Sequence, residues 1–314
     1  MEIYLDGRFV SEAEAKISIF DHGLLYGDGV FEGIRIYNGA IFKLDEHLNR
    51  LYGGAKAIML AIPLAYDELK AVMLETTRRS GLADGYIRLV VTRGKGDLGL
   101  NPLKCPEPSI FIIASTISIY PEEVYRQGMK VVTVSTRRNL LEALNPRIKS
   151  LNYLNNVLAT LEVNRTDAQE GLMLNADGYV TECIVDNFFL VDAGVVVTPP
   201  TSVGALKGVT RDTVMDLARE AGYPVEERML TLHDVYVADE AFLTGTAAEI
   251  APITTVDERL IGEGKPGPIT TDLMAKFHAY AQTNGTPVIA GPAMGGGHDI
   301  RTQGAHGAQD DNVL

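Results

Sequence analysis

Cysteine is scarce in this sequence: Cys105 and Cys183 are the only two among 314 residues. They form neither a metal-ligand spacing nor a disulfide framework, so a reducing cytoplasm is the expected compartment. The six histidines contain no H-x-x-x-H pair, and no metal site is expected. No apolar run approaches the ~20 residues that a membrane helix requires. The opening Met1-Glu2-Ile3-Tyr4-Leu5-Asp6-Gly7 lacks the basic region and apolar core of a secretory signal. Positive charge is also in deficit, with 28 Lys and Arg against 41 Asp and Glu and a net charge of −13. That balance argues against nucleic-acid or anionic-membrane partners, while leaving room for a small anion held by a local group of arginines. No internal repeat is visible. No G-x-G-x-x-G leads from a strand into a helix, which counts against a nucleotide-binding oxidoreductase.

What remains is an ordinary globular composition, 46% hydrophobic and 22% charged. Residues 3–10 predict a hairpin about Asp6-Gly7, and 29–37 with 40–43 predict strands joined at Asn38-Gly39. Leu44, Leu48, Leu51 and Ala55 recur at helical spacing and predict a helix over 44–58. A second helix over 66–80 closes at Gly81, and strands follow over 86–93 and 109–115. Together these make a small N-terminal α+β domain over 1–119. Tyr120-Pro121-Glu122-Glu123 reads as a connection. A larger domain over 120–285 then holds a strand at 130–135, a loop carrying Lys149 and a helix over 154–166. A β-meander over 171–198, a helix over 210–221, strands at 226–230 and 240–243, and a helix over 270–281 complete it. Residues 286–314 have almost no large apolar groups in their later part and predict a disordered tail. Its His298 and His306 are expected to be solvated.

Chemistry concentrates in Arg147-Ile148-Lys149-Ser150-Leu151-Asn152-Tyr153 and in Thr181-Glu182-Cys183-Ile184-Val185-Asp186-Asn187-Phe188-Phe189. A lysine in a loop between structured elements can form an imine with an aldehyde cofactor. A downstream acid can keep a pyridine nitrogen protonated. Lys149 is flanked by Ile148 and Leu151, and partial burial favours its amine form. Glu182 lies in a mostly apolar strand pattern and needs a partner. Leu206-Lys207-Gly208-Val209-Thr210 places a glycine and a threonine at a helix start, where unpaired N–H groups attract phosphate. Thr210 also suits an ordinary N-cap. Thr244-Gly245-Thr246-Ala247 is a small-residue turn after a strand, and Arg50 offers a guanidinium.

In these blocks, and in His22-Gly23-Leu24-Leu25-Tyr26-Gly27 through Arg35 and His47-Leu48-Asn49-Arg50-Leu51, the chain resembles the fold-type IV pyridoxal phosphate (PLP) enzymes. Within them it is most similar to the branched-chain amino-acid aminotransferases. The resemblance covers 2–282 and implies a two-domain α+β fold with the cofactor at the domain interface. It implies that Lys149 is the Schiff-base lysine and proton shuttle, that Glu182 pairs with the pyridine nitrogen, and that Tyr153 meets the phenolic oxygen. Arg50, Val209, Thr210 and Thr246 would bind the phosphate, and Leu206 would pack on the ring. Thr246 and Ala247 would also offer N–H groups to the substrate α-carboxylate.

At the substrate end, Tyr86-Ile87-Arg88 resembles the Tyr-x-Arg strand of the branched-chain enzymes. The tyrosine would help hold the α-carboxylate and Arg88 would meet the γ-carboxylate of glutamate. Phe31, Tyr120 and Tyr153 would line an apolar side-chain pocket. Tyr26 and Leu100 would enter the pocket of a neighbouring subunit, implying a homodimer or higher assembly. The implied reaction transfers the amino group of leucine, isoleucine or valine to 2-oxoglutarate. D-Amino-acid aminotransferases share Asp28-Gly29, and (R)-selective amine transaminases and aminodeoxychorismate lyases share the fold. A PLP-binding protein without turnover is the rival from another class.

Overall fold

The computed structural model describes residues 1–117 and 120–288. Two sheets organise it. The first begins with β1 (Glu2–Leu5) and β2 (Arg8–Ser11) about the expected Asp6-Gly7 turn, followed by α1 (His22–Tyr26), β3 (Gly29–Tyr37) and β4 (Ala40–Phe42). Helices α2 (Leu44–Ala57) and α3 (Tyr66–Ser80) lead to β5 (Gly85–Thr92) and β6 (Ser109–Ser115). The helical spacing read from the sequence is what buries α2, because Leu44, Leu48, Leu51 and Ala55 all face the core against Ile34, Ile87 and Leu89. Each such leucine contributes about 1.5–3 kcal/mol by leaving water. Gly81 ends α3 at φ +66°, where a side chain would be strained.

The second sheet starts after α4 (Glu122–Gln127) with β7 (Met129–Thr133), α5 (Leu154–Val163), β8 (Glu170–Leu174) and β9 (Val180–Cys183). It continues through β10 (Asn187–Asp192), β11 (Val195–Thr198), α6 (Val209–Glu220), β12 (Val225–Glu227) and α7 (Leu232–Tyr236). β13 (Glu240–Gly245), β14 (Glu249–Val256), β15 (Arg259–Leu260), α8 (Pro268–Thr283) and β16 (Gly285–Pro287) complete the described chain. The strand order is β12-β11-β10-β13-β14-β7-β8-β9, with β15 paired to β14. The first sheet runs β16-β4-β3-β5-β6-β1-β2.

Four expectations change. The meander is interrupted: β8 and β9 pair, and β10 and β11 pair, but β10 joins β13 and lies apart from β9 in the strand order. A turn closed by Cys183 N donating to Asp186 O redirects the chain. The 120–123 connection, for which no helix is expected, opens α4 at Glu122. The strand expected over 226–230 is β12, and its parallel pairing with β11 ends at Glu227. Finally, 286–288 do not belong to a tail. β16 pairs antiparallel with β4 through Gly285–Phe42, Thr286–Ile41 and Pro287–Ala40, returning the chain to the first sheet. The rest of the expected tail lies outside the described residues.

The sheets meet through a shared core. Tyr37 and Phe42 of the first pack with Phe189 and Phe242 of the second, Val214 of α6 and Phe277 of α8, with Phe189 and Phe242 stacked at 4.9 Å. Among the described residues no helix is long and apolar enough to cross a membrane.

Candidate active site

A cavity of about 510 Å³ opens between the two sheets, within the size range of small-ligand sites. β3 supplies Phe31 and Gly33, and β5 supplies Tyr86, Arg88 and Val90, at alternate positions of each strand. The loop before α5, the start of α6, the turn after β13, the turn between β9 and β10 and Arg50 of α2 supply most of the rest. Tyr86 and Gly33 are neighbours across β3 and β5, and a Cβ at Gly33 would lie 1.9 Å from the Tyr86 hydroxyl. Glycine at 33 is therefore what lets that hydroxyl lie over the strand.

Lys149 is half-buried in the cavity wall. Its backbone is fixed to β3, with Phe31 N donating to Lys149 O and Leu151 N donating to Gly29 O, both at 3.0 Å. Its amine donates to the Tyr153 hydroxyl at 3.1 Å and lies 4.6 Å from the Phe31 ring centre.

Glu182 is buried behind the wall, bonded to two residues that line the cavity. Its Oε1 accepts from Arg138 Nη2 at 2.5 Å, and its Oε2 accepts from Asn187 Nδ2 and from Leu206 N, both at 3.0 Å. Burial raises its pKa, and the Arg138 charge opposes that. The α6 N-terminus also opens on the cavity, and its first N–H groups have no partner within the helix. Gly208 is its N-cap, with no side-chain acceptor. Thr210 therefore sits inside the first turn instead of capping it, and both Val209 and Thr210 face the cavity. A Cβ at Gly208 would lie 2.0 Å from Asn187 Oδ1, so the approach of this loop to the Glu182 partner Asn187 needs glycine.

Arg50 lines the cavity but is already engaged. Nε and Nη2 donate to the two carboxylate oxygens of Glu32 at 2.7 Å, and Nη1 donates to Lys207 O at 2.9 Å. His47 Nδ1 lies 2.7 Å from the same Glu32. Burial would raise the Glu32 carboxyl, but Arg50 and His47 outweigh it and hold the group at about 2. The five donors of a guanidinium leave Arg50 able to reach a ligand as well.

Leu206, Thr246 and Ala247 line the same cavity. Tyr120 is not among the described residues that line it. Its hydroxyl donates to Glu170 Oε2 at 3.2 Å, and its ring packs on the core of the second sheet. Tyr26 and Leu100 also stand apart from the cavity: Tyr26 donates to Leu98 O at 2.5 Å, and Leu100 is 77% exposed. Sequence reasoning passed over Glu32, Arg138 and Asp186. Glu32 is signalled by being the one acid within the mostly apolar β3 run. Arg138 carried no signal, since its loop has no readable period. Asp186 lines the cavity while buried, and one of its oxygens has no hydrogen-bond partner. Its carboxyl is pushed up to about 8, by burial first and then by the charge of Glu170.

A lysine beside a tyrosine, a buried acid bonded to two wall residues, an open helix N-terminus and two arginines in the wall suit a phosphorylated aromatic aldehyde. They define an amino-group-transfer site. The family model for class IV amino-transferases matches residues 29–256, and the chain belongs to that family. It is 53% identical over 277 residues to a putative branched-chain-amino-acid aminotransferase of Methanocaldococcus jannaschii, covering 88% of this chain and 95% of that protein. Among solved structures, it resembles the Escherichia coli branched-chain amino acid aminotransferase with TM-score 0.87 and 34% identity, covering 90% and 95% of the two chains. The branched-chain amino acid aminotransferase of T.th., solved with pyridoxamine 5'-phosphate, gives 0.86 and 37%, covering 90% and 94%.

Proposed function

We propose that the protein is a PLP-dependent branched-chain aminotransferase. It exchanges the amino groups of L-leucine, L-isoleucine or L-valine with 2-oxoglutarate, releasing 2-oxo acids and L-glutamate. The observation that carries the reading is Arg88. Its guanidinium lies 4.7 Å from the Phe31 ring centre and 5.4 Å from that of Tyr86. It lines the wall of a cavity whose other surfaces include Phe31, Val90, Leu151 and Val185. Apolar walls reward a branched side chain by about 0.8 kcal/mol per buried CH₂. A cation set among those walls accepts the second carboxylate of glutamate in the other half of the cycle.

The donor set fits PLP. Arg50, Val209, Thr210 and Thr246 would hold its phosphate, Glu182 its ring nitrogen, Tyr153 its phenolic oxygen and Leu206 its ring face. When bound, the cofactor supplies an electron sink that makes the amino-acid α-proton removable. Lys149 takes that proton and returns it on the other side of the transfer. Tyr153 orients the amine. Tyr86, Thr246 and Ala247 hold the α-carboxylate, and Glu182 with Arg138 maintains charge at the far end.

The division into an N-terminal domain over 1–119 and a larger one over 120–285 is supported by the two sheets, with β16 crossing back between them. Exposed Leu154, Val157, Leu158 and Leu161 on α5 support an obligate homodimer. In it, Tyr26 and Leu100 of one copy would complete the site of the other. The two cysteines, both free and buried, suit a cytoplasmic location.

The test mixes PLP-loaded protein separately with L-leucine, D-alanine and (R)-1-phenylethylamine. Loss of the bound cofactor's visible absorbance is followed. The reading requires a response to L-leucine and none to the other two. A response to D-alanine or to the amine instead would assign a sister activity of the same fold.

A further inference from the structure

The turn that would receive the substrate α-carboxylate has a second side. Thr246 and Ala247 face the cavity, but behind them the Ala247 carbonyl accepts from Arg35 Nη1 at 3.3 Å. Arg35 Nη2 lies 3.7 Å from Glu249 Oε1, and the Tyr37 hydroxyl donates to that same oxygen at 2.9 Å. The guanidinium stacks 4.8 Å from the Tyr37 ring centre. Glu249 closes the turn at φ +60°, a backbone conformation that a residue with a side chain adopts at a cost and keeps where its surroundings determine it.

Arg35 and Tyr37 continue the face of β3 that carries Phe31 and Gly33 into the cavity, because all four alternate along one strand. Arg35 is also the direct cross-strand partner of Tyr86 on β5. It therefore touches the turn from the second sheet and neighbours the tyrosine from the first. Both are candidate ligands for one carboxylate, and they come from different sheets. Their separation is set by whatever ties the sheets together at this point.

We propose that Arg35, Tyr37 and Glu249 form a positioning set that locks the turn after β13 against β3 and so fixes the gap in which the substrate α-carboxylate binds. The inference rests on the reading of that turn as the α-carboxylate site. Arg35 supplies the link and the positive charge behind the turn. Glu249 anchors the guanidinium, and Tyr37 orients Glu249. None of the three lines the cavity, so none is a catalytic residue.

The test uses the PLP-loaded protein with Arg35→Ala, Arg35→Lys and Glu249→Gln. Three quantities are measured: cofactor affinity by absorbance titration, KM and kcat for L-leucine, and competitive inhibition by the acid with leucine's carbon skeleton but no amino group. A displacement of about 1 Å costs on the order of a hundredfold in such sites. Arg35→Ala should raise KM and the inhibition constant together by roughly tenfold or more, leaving cofactor affinity unchanged. Arg35→Lys should recover part of the loss, and Glu249→Gln should fall between. Unchanged KM and inhibition in all three variants overturn the proposal. So does a parallel loss of cofactor affinity with no recovery by lysine, which would mark the set as merely structural. If the unaltered protein neither turns over leucine nor is inhibited by the acid, the underlying functional reading fails instead.

Discussion

The amine of Lys149 donates to the hydroxyl of Tyr153 at 3.1 Å, across a loop whose backbone is hydrogen-bonded to β3. The lysine is thus aimed before any ligand arrives. Lys149→Ala should abolish transamination, and clear residual turnover would show that another lysine does the work. Tyr153→Phe should keep cofactor binding and lower kcat. A hydrogen bond to a charged group contributes about 1.5–3 kcal/mol, equivalent to roughly a tenfold to hundredfold fall. Steady-state kinetics on the loaded variants decide it.

Glu32 on β3 holds Arg50 of α2 in the cavity wall. Glu32→Gln leaves the Arg50 guanidinium without its buried counter-charge, and breaking such a pair costs about 3–5 kcal/mol. A lower melting temperature is expected, together with weaker PLP binding, because Arg50 would no longer be held at the phosphate end. The folded Glu32 carboxyl lies at about 2, below its unfolded value. Its stabilisation is therefore present above the unfolded pKa and is lost as pH falls toward the folded one. Thermal denaturation between about pH 6 and pH 3 should show a steeper acid loss for the unaltered protein than for Glu32→Gln.

Elements with a clean alternation, a helical period or a turn signal were legible, and those without one were not. β3 and α3 fall where alternation, helical spacing and Gly81 placed them. α1 and α7 are each five residues long, too short for a helical period to register. β14 escaped notice because Pro252 stands in it, and proline normally marks an edge or an interruption. Here Pro252 precedes the pairing with β7, which begins at Ile253, so its missing N–H is no defect on that side. The site's first layer was legible because its residues sit in compact local motifs. Glu32 with Arg50, Arg138 with Glu182 and Arg35 with Ala247 join positions 18 or more apart. No local pattern announces such pairings.

Asp186 predicts the opposite pH response. Burial and the neighbouring Glu170 hold its carboxyl at about 8 when folded, far above its unfolded value. The folded state therefore binds the extra proton, and stability falls as pH rises from the unfolded pKa toward the folded one. Lys149, Tyr120 and Glu182 also act on this group, the first two favouring its charge and the third opposing it. Asp186→Asn keeps the size and removes the ionisation. Its melting temperature should change less between about pH 5 and pH 8 than that of the unaltered protein. Equal slopes would show that Asp186 is not what titrates.

The proposed role of Arg88 separates the two halves of the reaction. Among the described residues it forms no ion pair, and it lies against Phe31 and Tyr86 in the cavity wall. A guanidinium over an aromatic face still has its N–H edge free for a carboxylate. Leucine offers nothing to that edge beyond its α-carboxylate, whereas 2-oxoglutarate and glutamate each carry a second carboxylate. Arg88→Ala should therefore lower kcat/KM for the two dicarboxylates by roughly a hundredfold, the value of a charge-assisted hydrogen bond left unmade, about 1.5–3 kcal/mol. The leucine half-reaction should change by only a few-fold, since the lost stacking area is small. Separate single-turnover measurements of each half-reaction distinguish the effects. Equal losses on both sides would mean that Arg88 supports the pocket as a whole, and the recognition of the second carboxylate would have to be sought elsewhere in the wall.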